Sequence, residues 1–129
     1  MSFPENLRYT KTHEWAKQDG KRIRVGITDY AQKEISDVVF AELPKLNQEV
    51  EQGKPMAIVE SVKAAFDIYA PVSGKVVAVN KGIEANPALI NQDCYQQGWL
   101  AEIEANKESE WQQLMTTAAY EQHIQQSVK

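Results

Sequence analysis

Short runs in which apolar and polar residues alternate, bounded by turn formers, dominate the first hundred residues. That is the signature of half-buried strands. From Leu7 to Gly26 the pattern predicts two or three short strands. Ile23, Val25 and Ile27 alternate with Arg24 and Gly26, and Asp19-Gly20 is a hairpin turn between Trp15 and Ile23. Asp29 to Ser36 reads as a short helix, with Asp29 as its cap and Gln32 completing a capping box. Val38-Val39-Phe40 returns to strand character and Pro44 ends it. Met56 to Val62 and Phe66 to Ala70 are two further strands, rich in β-branched and aromatic residues. In the second of them Asp67 and Tyr69 face opposite to Phe66 and Ile68. Lys63-Ala64-Ala65 falls between the two, so Lys63 lies at or beside a hairpin tip.

Pro71-Val72-Ser73-Gly74 is a turn, and Val76 to Val79 a strand. A weak repeat brackets the hairpin: Val50-Glu51-Gln52-Gly53 recurs as Val79-Asn80-Lys81-Gly82. Each unit is read as a strand closed by a glycine-permissive turn, which suggests a two-fold-like sandwich. Asn86-Pro87 resembles an N-cap followed by proline at the first helical position, with a helix ending near Asn91. Trp99 to Ile103 is the last strand. From Ser109 onward the spacing is helical, with Trp111, Leu114 and Met115 on one face, then Ala118, Ala119 and Ile124. Thr117 is the expected cap of a second segment, and Gln125 to Lys129 are expected to fray. Trp15, Trp99 and Trp111 are read as core residues.

Composition narrows the function. The 129 residues fit one domain, with a core over about 7–105 and a helical extension over about 108–125. Eighteen acids against fourteen bases leave a formal charge of −4. Nucleic acid and anionic membranes both call for a surplus of cations, so neither is an expected partner. No apolar run is long enough to span a bilayer. Met1 to Glu5 show neither a signal peptide's apolar stretch nor an Arg-rich transit helix. The expected location is the bacterial cytoplasm, or an organelle for a processed mitochondrial form, and the expected state a monomer. With one cysteine, Cys94, and two histidines, His13 and His123, the chain has no internal disulfide and a poor metal set.

A lysine at the apex of a tight hairpin presents its ε-amine on a rigid base, as acylation by another enzyme requires. Small residues after it, Ala64 and Ala65, leave room for that enzyme. Taken singly, Lys63 is an ordinary surface lysine. Its context is not ordinary. Glu60-Ser61-Val62-Lys63-Ala64-Ala65, then Asp67, then Ala70-Pro71-Val72-Ser73-Gly74 resembles the lipoylation segment of the glycine cleavage H-protein family. His13-Glu14-Trp15, Val25 to Gln32, Asp37 to Phe40 and Gly98-Trp99-Leu100 match the same family in order, from about Tyr9 to about Tyr120.

The resemblance implies a mainly β fold, a flattened barrel or sandwich of the biotinyl/lipoyl-carrier type with short helices and a helical C-terminus. It implies lipoate in amide linkage to Lys63 and no catalysis by the chain itself. The implied partners are a pyridoxal-phosphate glycine decarboxylase, a tetrahydrofolate-dependent aminomethyltransferase, dihydrolipoamide dehydrogenase and a lipoyl-transferring enzyme. It further implies that the loaded arm folds back into a niche lined by Thr12, Glu14 and Asp67. A hydroxyl and two carboxylates suit a protonated amine, although alone each acid would be a solvated surface charge. His13, taken alone, is a packed or exposed imidazole with no catalytic role. Phe66 departs from the family, which usually has a small polar residue there; its ring either narrows the niche or covers the arm. Cys94 lies where the family more often lacks cysteine, and is read as an inert, partly buried thiol.

Other carriers fit less well. A lipoyl domain of an oxoacid dehydrogenase complex typically has an acid beside its lysine, whereas Val62 and Ala64 flank Lys63 here. A biotin carrier flanks its lysine with methionines. An unmodified relative acting as a binding or lipoate-relay protein is the remaining alternative. No nucleophile–base pair is visible that would make the chain an enzyme.

Overall fold

The computed structural model describes residues 3–127. Among the described residues nine strands form two antiparallel sheets. The larger is built from β1 (Arg8–Tyr9), β2 (Glu14–Asp19), β3 (Arg22–Ile27), β9 (Ala101–Ala105), β8 (Gly74–Val79) and β5 (Glu49–Val50), in that order. The smaller has β6 (Pro55–Ser61) at its centre, with β4 (Val38–Glu42) and β7 (Ala65–Tyr69) on its two sides. Five helices complete the fold: α1 (Asp29–Ile35), α2 (Lys81–Ala85), α3 (Leu89–Gln92), α4 (Glu108–Gln112) and α5 (Thr117–Ser127). Among the described residues no helix is long and apolar enough to cross a membrane.

The expected β sandwich is present. Ile23, Val25 and Ile103 from the large sheet and Met56, Val59 and Ile68 from the small one belong to a single buried cluster. The Asp19-Gly20 hairpin forms as the sequence predicts, with Asp19 paired to Arg22 and Gly20 at φ +64°. Gly26 has a packing reason to be glycine: a Cβ there would come within 2.5 Å of the Trp15 indole opposite it.

Several local expectations need correction. Thr28, not Asp29, caps α1, its side chain accepting from Ala31 N; Asp29 sits in the first turn, where Gln32 Nε2 donates to its carboxylate. The two glycines of the repeat are not equivalent. Gly53 turns the chain at φ +82°, but Gly82 is helical, in the first turn of α2, with Asn80 as the cap. Asn86 closes α2 rather than opening a helix, and α3 begins at Leu89 without a side-chain cap. The last strand begins two residues late, at Ala101.

The C-terminal segment also differs. Thr116 Oγ1 accepts from Ala119 N, so Thr116 supplies the cap, while the Thr117 hydroxyl donates to Pro4 O. Ala118 and Ala119 are exposed. The buried face of α5 is Tyr120 and Ile124, joined to Leu7, Tyr9 and Trp15 in a second cluster. Tyr120 stacks on Tyr9, centroids 4.6 Å apart, and Tyr9 and Met115 exchange two backbone hydrogen bonds. Trp15 is fully buried, whereas Trp99 and Trp111 are only partly so. Trp99 lies under the Arg24 guanidinium and Trp111 under that of Arg8. Helix α5 continues through Ser127, so the expected fraying is not seen over Gln125 to Ser127; Val128 and Lys129 lie outside the described residues.

One buried carboxylate ties α4 to the turn before β8. Glu110 accepts from Ser73 N at 2.7 Å and from Ser73 Oγ at 2.8 Å, with both residues buried. Glu110→Ala strips a buried amide and a hydroxyl of their acceptor. It should destabilise the fold by about 1.5–3 kcal/mol, the range for hydrogen bonds to charged groups. The check is a urea titration in which the midpoint falls and the slope stays unchanged.

Candidate functional site

The β6–β7 hairpin carries Lys63 at its tip. Ser61 closes the turn: its hydroxyl accepts from Lys63 N at 3.1 Å and Ala64 N at 3.4 Å, while Ser61 N donates to Ala64 O at 2.9 Å. Such serine-closed turns order a short loop without adding bulk. Val62 N donates to Asp37 O, which fixes the tip against the start of β4. The Lys63 side chain is exposed, and its Nζ donates to Glu34 O at 3.0 Å in the last turn of α1. Sequence reasoning did not single out Ser61 or Glu34. A serine two residues before a hairpin-tip lysine is a turn signal that was open to reading; the Glu34 contact depends on how α1 packs and left no trace.

Beside this tip runs a groove of about 240 Å³ between α1 and β7, lined among others by Thr12, His13, Glu34, Phe66 and Asp67. Asp67 is exposed, and Phe66 is half-buried with its ring packed on the main cluster. The ring is thus part of the groove wall, backed by the core.

Glu14 is placed differently. It is 1% exposed and lines a neighbouring hollow of about 410 Å³ together with Gln52, Tyr69 and Met115. Its Oε1 accepts from the Thr10 and Thr12 hydroxyls, and its Oε2 from Tyr69 N at 3.1 Å. Burial raises the pKa of Glu14 above the ordinary carboxylate value, opposed by those hydrogen bonds. Thr12 lines both hollows. The structure therefore brings Thr12, Phe66 and Asp67 together in the groove beside the tip, and sets Glu14 behind Thr12 in the next one.

His13 sits where the groove meets α5. It adopts φ 75°, and its Nδ1 shares a hydrogen bond of 2.9 Å with Tyr120 OH. That hydroxyl is 2.7 Å from Thr28 Oγ1, so the residue before β2, the cap of α1 and α5 meet in one polar chain. Cys94 is buried, and burial pushes its thiol up to about 12, as an inert thiol requires.

A family profile for the glycine cleavage H-protein matches residues 7–127. This chain belongs to the glycine cleavage H-protein family. The glycine cleavage system H protein of Endomicrobium trichonymphae is 49% identical over 124 residues, covering 96% of this chain and all of that one. That of Halothermothrix orenii is 46% identical, covering 98% of each. A crystal structure of a Mycobacterium marinum H protein superposes with a TM-score of 0.83 at 34% identity, covering 97% of this chain and 98% of that one. H proteins carry lipoate and catalyse nothing themselves. As a member of the family, this chain is a carrier that shuttles the aminomethyl group between the enzymes of the glycine cleavage system. Nothing favours an oxoacid dehydrogenase lipoyl domain.

The His13 contact generates a pH prediction for this H protein. Burial, then the nearby His123, lowers the pKa of His13 from its ordinary 6.5, while Glu34 opposes the shift. The folded state thus prefers the neutral ring. The stability this contributes is complete above the unfolded value near 6.5 and is lost as pH falls below it. Unfolding free energy measured from pH 7.5 to 5 should decline more steeply in the wild type than in His13→Asn, by at most about one proton's slope. Parallel curves would mean that the ring titrates alike in both states.

Proposed function

We propose that Lys63 is the residue that carries lipoate, in amide linkage, and that the groove beside it receives the arm. The observation behind this reading is an exposed primary amine at the tip of a serine-closed hairpin, next to a groove of about 240 Å³. Acylation removes the lysine's charge and makes the chain more acidic. The bound dithiolane supplies the redox and group-carrying chemistry; the chain supplies position and shelter.

Thr12 is the joint in that shelter. Because it lines both hollows, an arm leaving Lys63 past Phe66 and Asp67 can continue towards Glu14. An ionised carboxylate has about four acceptor sites. Glu14 uses two on Oε1 and one on Oε2, which leaves one for a cationic amine. A cation there would also offset the burial that raises the pKa of Glu14. Asp67 stands at the open side, where water screens it. Phe66 gives the arm an apolar wall.

The partners follow the route of the cargo. Glycine decarboxylase loads the carrier, the aminomethyltransferase unloads it to tetrahydrofolate, dihydrolipoamide dehydrogenase reoxidises it, and a lipoyl-transferring enzyme equips it. We place this cycle in the bacterial cytoplasm, with the carrier a monomer and the whole described chain one carrier domain.

Two measurements test the reading. Intact mass of the protein from its own host should exceed the sequence mass by one lipoyl group, mapped to Lys63 by peptide analysis and absent in Lys63→Arg; modification elsewhere ends the proposal. Decay of the aminomethyl-loaded form, followed by mass, should be faster in Glu14→Gln by about tenfold, since a buried charged hydrogen bond contributes about 1–3 kcal/mol. In Asp67→Asn it should be faster by about fivefold at most, because exposed pairs contribute about 0.2–1 kcal/mol. Unchanged lifetimes in both would return the two acids to purely structural and surface roles.

A further inference from the structure

The small sheet has a defect beside Lys63. Between Val38 and Phe40 the pairing of β4 with β6 shifts register: Val38 pairs with Ser61 and Phe40 with Glu60, so β4 holds one residue more than its partner. In a regular strand successive side chains point to opposite faces, and one of Val39 and Phe40 would be buried. The extra residue breaks the alternation, as bulges do. Both side chains stand in solvent, Val39 at 57% and Phe40 at 49% exposure. Val62, at 67%, joins them from the hairpin tip, where its N–H bonds Asp37 at the entry to β4. Three of the four large apolar side chains exposed among the described residues therefore lie on the Lys63 hairpin or on the strand paired beside it.

Lys63 itself apart, and with Lys33 and Lys45 at the margins, the charges along the segments that carry this patch are acidic. Glu34, Asp37, Glu42 and Glu60 are exposed about it, and neither 34–44 nor 55–62 contains a lysine or arginine. An exposed apolar cluster with a charged rim is the anatomy of a protein-binding site.

We propose that Val39, Phe40 and Val62 form the docking surface for the enzyme that acylates Lys63, an enzyme presenting an apolar depression ringed by lysine or arginine. The inference rests on Lys63 being the attachment site. Which enzyme docks follows from where the chemistry happens. The acylating enzyme must draw Nζ itself into its active site, so its surface meets the residues that adjoin the lysine. Enzymes that use the finished carrier act at the far end of a long arm and need no contact so close to its root. In the acylation step the neutral Nζ attacks the carbonyl carbon of lipoyl adenylate. A C–N amide bond forms, the bond from that carbon to the phosphate oxygen breaks, AMP leaves, and the proton lost from nitrogen passes to solvent.

The test is acylation of the unmodified full chain by an ATP-dependent lipoate ligase, with lipoic acid, ATP and Mg²⁺, followed by intact mass. The variants are Val39→Thr with Phe40→Thr, which keeps strand-compatible side chains, and Glu42→Lys with Glu60→Lys. The apolar variant should raise KM for the carrier about tenfold with kcat little changed, the pattern of lost uniform binding. The charge variant should raise KM at low salt and flatten its salt dependence. Thermal midpoints within a few degrees of wild type exclude misfolding as the cause. Unaltered KM in both variants overturns the inference. So does an equal rise in KM for glycine decarboxylase after the variants have been fully acylated, because the surface would then belong to that enzyme. A wild-type dimer in sedimentation that the Val39/Phe40 variant dissolves assigns the patch to a second copy of the chain instead. Failure of wild-type Lys63 to be acylated at all would overturn the attachment site itself, and is distinguished by its independence of both variants.

Discussion

A slip of one residue between β6 and β7 would turn the faces of one strand over relative to the other, because side chains alternate along each strand. Either Val59 would leave the core and Glu60 enter it, or Ile68 would leave and Asp67 enter. Burial of those two aliphatic residues therefore fixes the register, with Val59 opposite Phe66 and Glu60 opposite Ala65. With that register set, only three residues are left to cross from strand to strand, and Ser61 has the two amides it closes within reach. The position of Lys63, the orientation of Phe66 as a groove wall and the exposure of Asp67 all descend from this pairing.

The hollow behind Thr12 is walled from the N-terminal part of the chain. β2 contributes Glu14, whose two oxygens hold the Thr10–Thr12 turn and the outward amide of β7. One residue earlier, His13 reaches Tyr120 on α5 and, through it, the Thr28 cap of α1. Tyr120 in turn stacks on Tyr9. The C-terminal helix is thus bolted to the N-terminal strand, and through the adjacent residues His13 and Glu14 at the entry to β2 that assembly holds both the small sheet and α1. A site on a hairpin tip is as rigid as what stands behind it, and here that support is drawn from residues more than a hundred positions apart.

Strands and hairpins were legible in the sequence because alternation and turn chemistry are local: Ile23 to Ile27, Asp19-Gly20 and the two strands about Lys63 needed no tertiary information. Caps were less legible. Thr28 and Asp29 are both good capping residues, as are Thr116 and Thr117, and only the path of the chain into the helix decides which neighbour faces the free amides. Helix α2 was missed because Val79-Asn80-Lys81-Gly82 imitates a turn, and Asn80 serves a turn and a cap equally well. For the site, Lys63, Thr12 and Asp67 were singled out through resemblance and Phe66 as a departure from it, and the fold sets all four about one groove. The burial of Glu14 was not foreseeable, since its satisfaction depends on Thr10 and on a backbone amide of a strand 55 residues away. The bulge at Val39 was equally hidden, because an extra residue in one strand shows only against its partner.

The contact between Lys63 Nζ and Glu34 O gives the unmodified chain a property the carrier does not share. Glu34 lies in the last turn of α1, where unpaired carbonyls make the helix end electronegative. In the unmodified chain an ammonium answers that end. With Lys63 as the proposed attachment site, amide formation would leave a single neutral N–H on the same nitrogen, and Lys33 would be the cation remaining in the last turn of α1. On that reading the terminal turn of the helix that walls the groove would have one charge partner fewer in the chain that has an arm to shelter than in the chain that has none.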